Sequence, residues 1–191
     1  MAIGEFELGV LTQGNAAAHS LAAPLREPAP DSGSVEVIES IEEMRGAINR
    51  VASSAQRLMS IYTPDLEPDI YDQSSFLEIV KRFVLARRFA KVRVLLDHTA
   101  KVSRDHHRFV AMSRRLTSYI DLRVAPQPIE QRAAAYIIAD DRAIAYRVQA
   151  NSWDGVADYN NPPVARMHLA EFDAAWMACE SERAAMQRAI R

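Results

Sequence analysis

Residues 133–147 read Ala-Ala-Ala-Tyr-Ile-Ile-Ala-Asp-Asp-Arg-Ala-Ile-Ala-Tyr-Arg. Two apolar runs, over 135–139 and 143–148, flank the polar turn Asp140-Asp141-Arg142. That pattern predicts an antiparallel hairpin. The chain before it alternates between short strand signals and amphipathic stretches. Val35 to Ile38 is a strand candidate. Ser40-x-x-Glu43 is a capping box, in which serine and glutamate satisfy two orphan N–H groups at a helix start. The helix behind it sets Ile41, Met44, Ile48, Val51 and Ala55 on one face. A strand over 58–62 ends at Thr63-Pro64. Ser75-x-x-Glu78 reads as a second capping box, and Phe76, Val80, Phe83 and Val84 follow as a helical stripe.

Val92-Arg93-Val94-Leu95-Leu96 is a strand apolar enough for burial on both faces, closed by Asp97-His98-Thr99. A helix over 103–116 buries Phe109, Met112 and Leu116, and residues 119–124 alternate as a half-buried strand does. Pro126 and Pro128 end it. After the hairpin, residues 149–163 read as a polar loop holding Trp153 and the stop Asn160-Asn161-Pro162-Pro163. Val164 to Met167 is one more strand candidate. A closing helix over 169–189 carries Phe172, Trp176, Cys179, Arg183 and Met186 at helical spacing. This order predicts an α/β fold: a mixed β-sheet with helices on both faces, in one domain over 34–191.

Residues 1–33 read as a flexible tail. They hold four of the six glycines together with Pro24, Pro28 and Pro30, and show no apolar period. Such composition buries too little to offset its ordering entropy. Phe6, Leu8, Val10 and Leu11 are the one patch there with strand character. The 191-residue chain has net charge −2 and 49% hydrophobic residues, which excludes a disordered chain, a collagen and a membrane bundle. Glu5 and Glu7 break the order of a secretion signal, and Cys179 is the only cysteine, so the cytoplasm is the expected compartment. No membrane contact is expected.

Between Gly46 and Gly155 there is no glycine. Phosphate loops need glycine where backbone N–H groups approach a phosphate closely. The central region therefore lacks a P-loop, a dinucleotide fingerprint and a Gly-x-Ser-x-Gly nucleophile elbow. Alanine (31) and arginine (20, against 3 lysines) are abundant. A GC-rich genome accounts for this, and so does selection for bidentate anion binding.

Charge is uneven. Residues 81–147 hold 15 Lys/Arg against 6 Asp/Glu, net +9, and the remainder is −11. Within 81–116 there are 11 basic residues against Asp97 and Asp105. His98, Arg104, His106, His107, Arg114 and Arg115 are the candidate anion-binding residues, since His98 follows a strand end where α/β sheets bind ligands. Helix capping by Asp105 and His106, and a solvated basic face, explain the same residues without a ligand. Adjacent histidines diverge by about 100° on a helix, so a metal site is not expected. Phe83, Phe89 and Phe109, the aromatics nearest the basic residues, are assigned to the core, which speaks against a stacking platform for single strands.

The hairpin resembles the core of the phospholipase-D-like superfamily, whose signature is His-x-Lys, four residues, then Asp, on a strand that turns back. Aligned on Asp140, the histidine falls on Ala133 and the lysine on Ala135. The capped early helix, the strands at 58–62 and 92–96 and the late Phe172-x-x-x-Trp176 helix match in order, over about residues 35–180. The chain is similar to an uncharacterised bacterial group in that superfamily, sometimes attached to acetyltransferase domains; with about 33 residues ahead of the domain, no acetyltransferase is expected here. The resemblance implies a phospholipase-D-like fold and two copies about a twofold axis, hence a homodimer. In the family the histidine attacks phosphorus and the lysine steadies the phosphate. Alanine does neither, so the chain is expected to be no enzyme and to need no cofactor or metal. A noncatalytic interaction or regulatory module with an unidentified protein partner is the first reading. Binding of nucleic acid or a phosphate ligand through 81–116 is the alternative.

Overall fold

The computed structural model describes residues 35–96, 107–125 and 134–189, with side chains as far as Cys179. The tail, its Phe6–Leu11 patch and the segments around His98 and Pro126 lie outside the described residues. The strands are β1 (Glu36–Ile38), β2 (Leu58–Thr63), β3 (Lys91–Leu96), β4 (Ile120–Val124), β5 (Ala135–Ala139), β6 (Ala143–Arg147) and β7 (Gly155–Asp158). The helices are α1 (Ile41–Ser54), α2 (Pro68–Tyr71), α3 (Ser74–Ala86), α4 (Arg108–Arg115) and α5 (Pro162–Ala189). All seven strands join one sheet in the order β1-β7-β6-β5-β2-β3-β4. β2 and β3 run parallel, as do β3 and β4, whereas β5 pairs antiparallel with both β2 and β6. The sheet is mixed, as the hairpin inside an alternating α/β chain requires.

Two apolar layers follow from strand alternation. Met59, Ile61, Val92, Val94, Ile137, Ala139, Ala143 and Ala145 point to the face covered by α1 and α3. Tyr62, Leu95, Tyr136, Ile138 and Ile144 point to the other face, against Ala165, Phe172, Trp176 and Cys179 of α5. On α1 the predicted face is the buried one: Met44, Ile48 and Val51 are inside. Its cap forms as well. Ser40 Oγ accepts from the Glu43 N–H at 3.3 Å, and the Glu43 carboxylate accepts from the Glu39 N–H at 2.9 Å. The bond from the Glu39 N–H, and then the Ser40 hydroxyl, hold the Glu43 carboxyl below the usual carboxylate range.

Four expectations need correction. The second capping box does not form. α3 starts two residues early behind Gln73, which makes no side-chain cap; Ser75 bonds Asn49 at 3.1 Å and Glu78 pairs with Lys81 at 3.5 Å. Residues 164–167 are helix, not strand. Asn161 Oδ1 accepts from the Val164 N–H at 3.3 Å, and Pro162 and Pro163 occupy positions that need no N–H donor. The Asn-Asn-Pro-Pro run is therefore a helix start rather than a stop. The strand near that point is instead β7, which bridges β6 and the edge strand β1. Gly155 opens it where a Cβ would lie 2.6 Å from the Tyr146 carbonyl oxygen, so no larger residue fits. Finally, Phe89 is not in the core: it is 77% exposed, whereas Phe83 and Phe109 are buried. Among the described residues no helix is long and apolar enough to cross a membrane.

Candidate functional site

The register of the hairpin sets Ala135 directly opposite Arg147. Both belong to the α1-side face, at the corner where β2 ends and β5 begins. Ala135 is 1% exposed and Arg147 2%. A buried guanidinium is tolerated only when its donors are used. Here they are. Nη2 donates to both carboxylate oxygens of Glu67 at 2.5 Å, and Nη1 donates to the Ala150 and Ser152 carbonyls at 2.9 and 3.2 Å. The Trp153 ring stacks on the guanidinium, 5.0 Å from its carbon. Thr63 Oγ1 adds a bond to Glu67 at 3.0 Å. Beneath the pair, burial and then the Glu67 charge push the Tyr71 phenol well above its ordinary value, so it stays neutral.

The segment that delivers Glu67 is strained. Leu66 is fully buried with φ of 64°, a left-handed conformation that costs a non-glycine residue about 1–3 kcal/mol. His107 holds it. The His107 ring is buried, and its Nε2 lies 2.9 Å from the Leu66 carbonyl oxygen. A carbonyl only accepts, so the proton is on Nε2. That geometry moves His107 out of the anion-binding set proposed from the sequence: it positions the 64–67 segment from inside. His98, Arg104 and His106 lie outside the described residues. Arg114 and Arg115 are exposed at the end of α4, as the pattern predicts.

Asp140 works at the opposite end of the sheet. Its carboxylate accepts from the backbone N–H groups of Gln56, Arg57 and Leu58 at 2.9, 2.8 and 2.9 Å. Its own N–H donates to the Leu58 carbonyl at 2.8 Å, with φ of 56°. Aspartate tolerates that conformation better than most residues. The hairpin turn is thereby tied to the entry of β2. Around this tie the helices α1, α3 and α4 all end and β2, β3 and β4 all begin. Arg57, Phe89, Lys91 and Arg142 line one open hollow of about 910 Å³ here.

The sequence reading missed Glu67 and the role of Arg147. The signal was present: residues 143, 145 and 147 share the inward face, and the third is an arginine. An inward arginine demands a carboxylate, although the sequence does not say which.

The described basic residues of 81–116 do not form one continuous patch. Arg93 pairs with Asp173 at 2.8 Å and Arg108 with Asp72 at 3.0 Å. Arg88, Lys91, Arg114 and Arg115 instead collect at the end where the parallel strands begin.

Two solved structures illustrate the likeness of fold. Nuc from Salmonella typhimurium, a phospholipase D family member, superposes with a TM-score of 0.53 at 23% identity, over 77% of this chain and 96% of its own. TrmBL2, an archaeal chromatin protein whose structure shows a novel mode of DNA binding, superposes with a TM-score of 0.55 at 11% identity. The match covers 78% of this chain, which spans about half (54%) of that protein's length. The fold is phospholipase-D-like. No curated protein matches the sequence. Residues 40–187 match the model of a domain of unknown function, DUF7931, and the chain belongs to that family.

Proposed function

We propose that this chain is a phospholipase-D-like binding module that does not carry out phosphodiester chemistry. The observation that carries the reading is the corner at Ala135. On the alignment to the family motif, Ala135 stands where the phosphate-steadying lysine belongs. Its cross-strand neighbour Arg147 spends its charge on Glu67 and two carbonyls. A buried pair whose donors are used has no free charge to offer a developing phosphorane, and Ala133, which on the same alignment takes the place of the attacking histidine, has no lone pair with which to attack. Pairing of two copies, implied by the family resemblance, belongs to the same proposal.

The test is turnover of bis-p-nitrophenyl phosphate by the full chain, with and without divalent metals. No turnover above background is expected. Robust turnover that disappears in His98→Ala or His106→Ala overturns the proposal and moves chemistry to that segment.

A second reading, nucleic-acid binding, has its own support. Arg57, Arg88, Lys91 and Arg142 gather at one end of the sheet, and among the described residues none of them has a carboxylate within ion-pair distance. Unpaired basic side chains on one face form the electrostatic footprint of a polyanion binder. TrmBL2, about half of whose length superposes on this chain, is a DNA-binding protein, which supports testing that partner.

A further inference from the structure

The nucleic-acid reading identifies a charge but not a substrate, and Phe89 narrows it. A phenylalanine that is 77% exposed among arginines is not core packing. Its ring is flanked by the Arg88 guanidinium, whose carbon is 5.7 Å from the ring centre. Phe89 lines the 910 Å³ hollow with Arg57, Lys91 and Arg142. The acidic groups in that hollow are accounted for. Asp140 is consumed by three backbone N–H groups, and Asp141 binds Arg166 Nε at 2.7 Å, which holds its carboxyl below the usual range. Lys91 Nζ donates to the Ser118 carbonyl, a neutral acceptor that leaves its charge uncompensated.

The hollow continues past Leu58 and Lys91 into a second one of about 350 Å³, which reaches Tyr119. The Tyr119 ring is half-buried, with Lys91 Nζ 6.0 Å from its centre. Aromatic and basic side chains therefore alternate along one groove: Phe89, Lys91, Tyr119. A duplex offers a base face to a side-chain ring only where a step is unstacked at a cost, whereas a single strand offers one at every base. A single strand has use for both kinds of side chain, since bases stack on rings while cations follow the backbone.

Building on the nucleic-acid reading above, we infer that the groove between Phe89 and Tyr119 is a binding site for single-stranded nucleic acid. Phe89 is the stacking platform, and Arg57, Lys91 and Arg142 are the phosphate contacts. This site lies at the far end of the sheet from Ala135; of the family's motif it uses only Asp140, as a structural tie in its floor.

The experiment is fluorescence anisotropy of the full chain with labelled dT20 and with a duplex of the same length, at about 50 and 200 mM salt, where counterion release separates charge from stacking. Three chains are compared: the natural one, Phe89→Ala, and Arg57→Ala with Arg142→Ala. Every substituted side chain is exposed, and circular dichroism melting confirms that the variants stay folded. The natural chain is expected to prefer dT20. Phe89→Ala is expected to weaken dT20 binding about 5- to 150-fold, the range for loss of one stacked base, with little effect on duplex. The arginine pair is expected to flatten the salt dependence by about 1.4 in log–log slope. Binding of dT20 and duplex alike, weakened by the arginine substitutions but not by Phe89→Ala, overturns the stacking site and leaves the broader nucleic-acid reading standing. No binding of either probe at about 50 mM salt overturns both.

Discussion

At the corner where β2 ends and β5 begins, an arginine and a glutamate are buried together. At the other end of the same strands, Arg57, Lys91 and Arg142 line an open hollow and form no ion pair with its two carboxylates, which are held by backbone N–H groups and by Arg166. Both ends are rich in charge, and the difference is whether the protein consumes that charge internally. Arg147 meets two carboxylate oxygens, two carbonyls and an indole face within the fold. Arg57 and Arg142 meet solvent. Charge that is already spent stabilises one conformation, and charge left over is available to a partner. A count of basic residues along the sequence does not distinguish the two; only the fold does.

The comparison breaks first at Arg147. Removing one partner of a buried ion pair leaves the other uncompensated, at a cost of about 3–5 kcal/mol. Arg147→Met is therefore expected to lower the urea midpoint sharply. Glu67→Leu is expected to do the same, and the double variant to lose much less than the sum. A loss under about 1 kcal/mol for Arg147→Met would place that guanidinium among surface charges and erase the contrast between the two ends. At the open end, Arg57→Ala and Arg142→Ala sit on the other side of the comparison: they remove no internal partner.

A smaller effect is expected at Asp140. Hydrogen bonds to a charged group are worth about 1.5–3 kcal/mol, and Asp140→Ala gives up three of them around a partly solvated carboxylate while forcing alanine into φ of 56°. A loss of about 2–3 kcal/mol in chemical denaturation is expected. Asp140→Asn, which tolerates the same backbone and keeps one acceptor oxygen, is expected to recover part of it. Should Asp140→Ala prove neutral, the basic hollow would have no rigid floor, and the positions of Arg57 and Arg142 would lose their fixed reference.

The two ends were not equally legible in the sequence. Strand and helix order came through because apolar periodicity is a local property. Met44, Ile48 and Val51 on α1, and Phe76, Val80 and Phe83 on α3, are buried as their spacing demands. Asp140 was marked by the hairpin turn. The ends of elements were less legible. Asn161-Pro162-Pro163 begins a helix or stops a strand with the same residues, and only the Asn161 bond to the Val164 N–H decides. β7 has four residues and no pattern of its own; it exists because β6 and β1 flank it. Phe89 was assigned inside by residue type, yet it follows the end of α3 on a turn that the core does not reach. Glu67 was illegible for a different reason. It lies 80 residues from Arg147, and nothing local says which of 25 acidic residues an inward arginine will meet.

Between the buried pair and the open hollow lies an intermediate case at the sheet edge, and it supplies the smallest expected effect. Glu36 of β1 binds Arg50 of α1 at 2.5 Å and accepts from the Tyr159 hydroxyl. The Glu36 carboxylate is about one-third exposed and the Arg50 guanidinium more than half. The Tyr159 bond, and then Arg50, hold the Glu36 carboxyl below its ordinary value of 4.5 against a smaller opposing push from burial. Burial, and then the same bond, raise the Tyr159 phenol to about 12. A depressed carboxyl stabilises the fold above its unfolded value and loses that contribution as pH falls through the folded one. This triad therefore weakens below about pH 4.5. The raised phenol acts in the opposite direction. Its contribution is complete below pH 10 and disappears as pH rises through about 12. Because the pair is solvated, its worth is under about 1 kcal/mol. Thermal melting of the natural chain and Glu36→Gln between pH 3 and 6 is the measurement. The variant is expected to melt slightly lower near pH 6 and to converge on the natural chain toward pH 3. It keeps part of the acid slope, because the lowered carboxyls of Glu43 and Asp141 remain. Parallel curves across the whole range would show that a half-solvated pair contributes nothing here. Exposure alone would then separate spent charge from available charge in this protein.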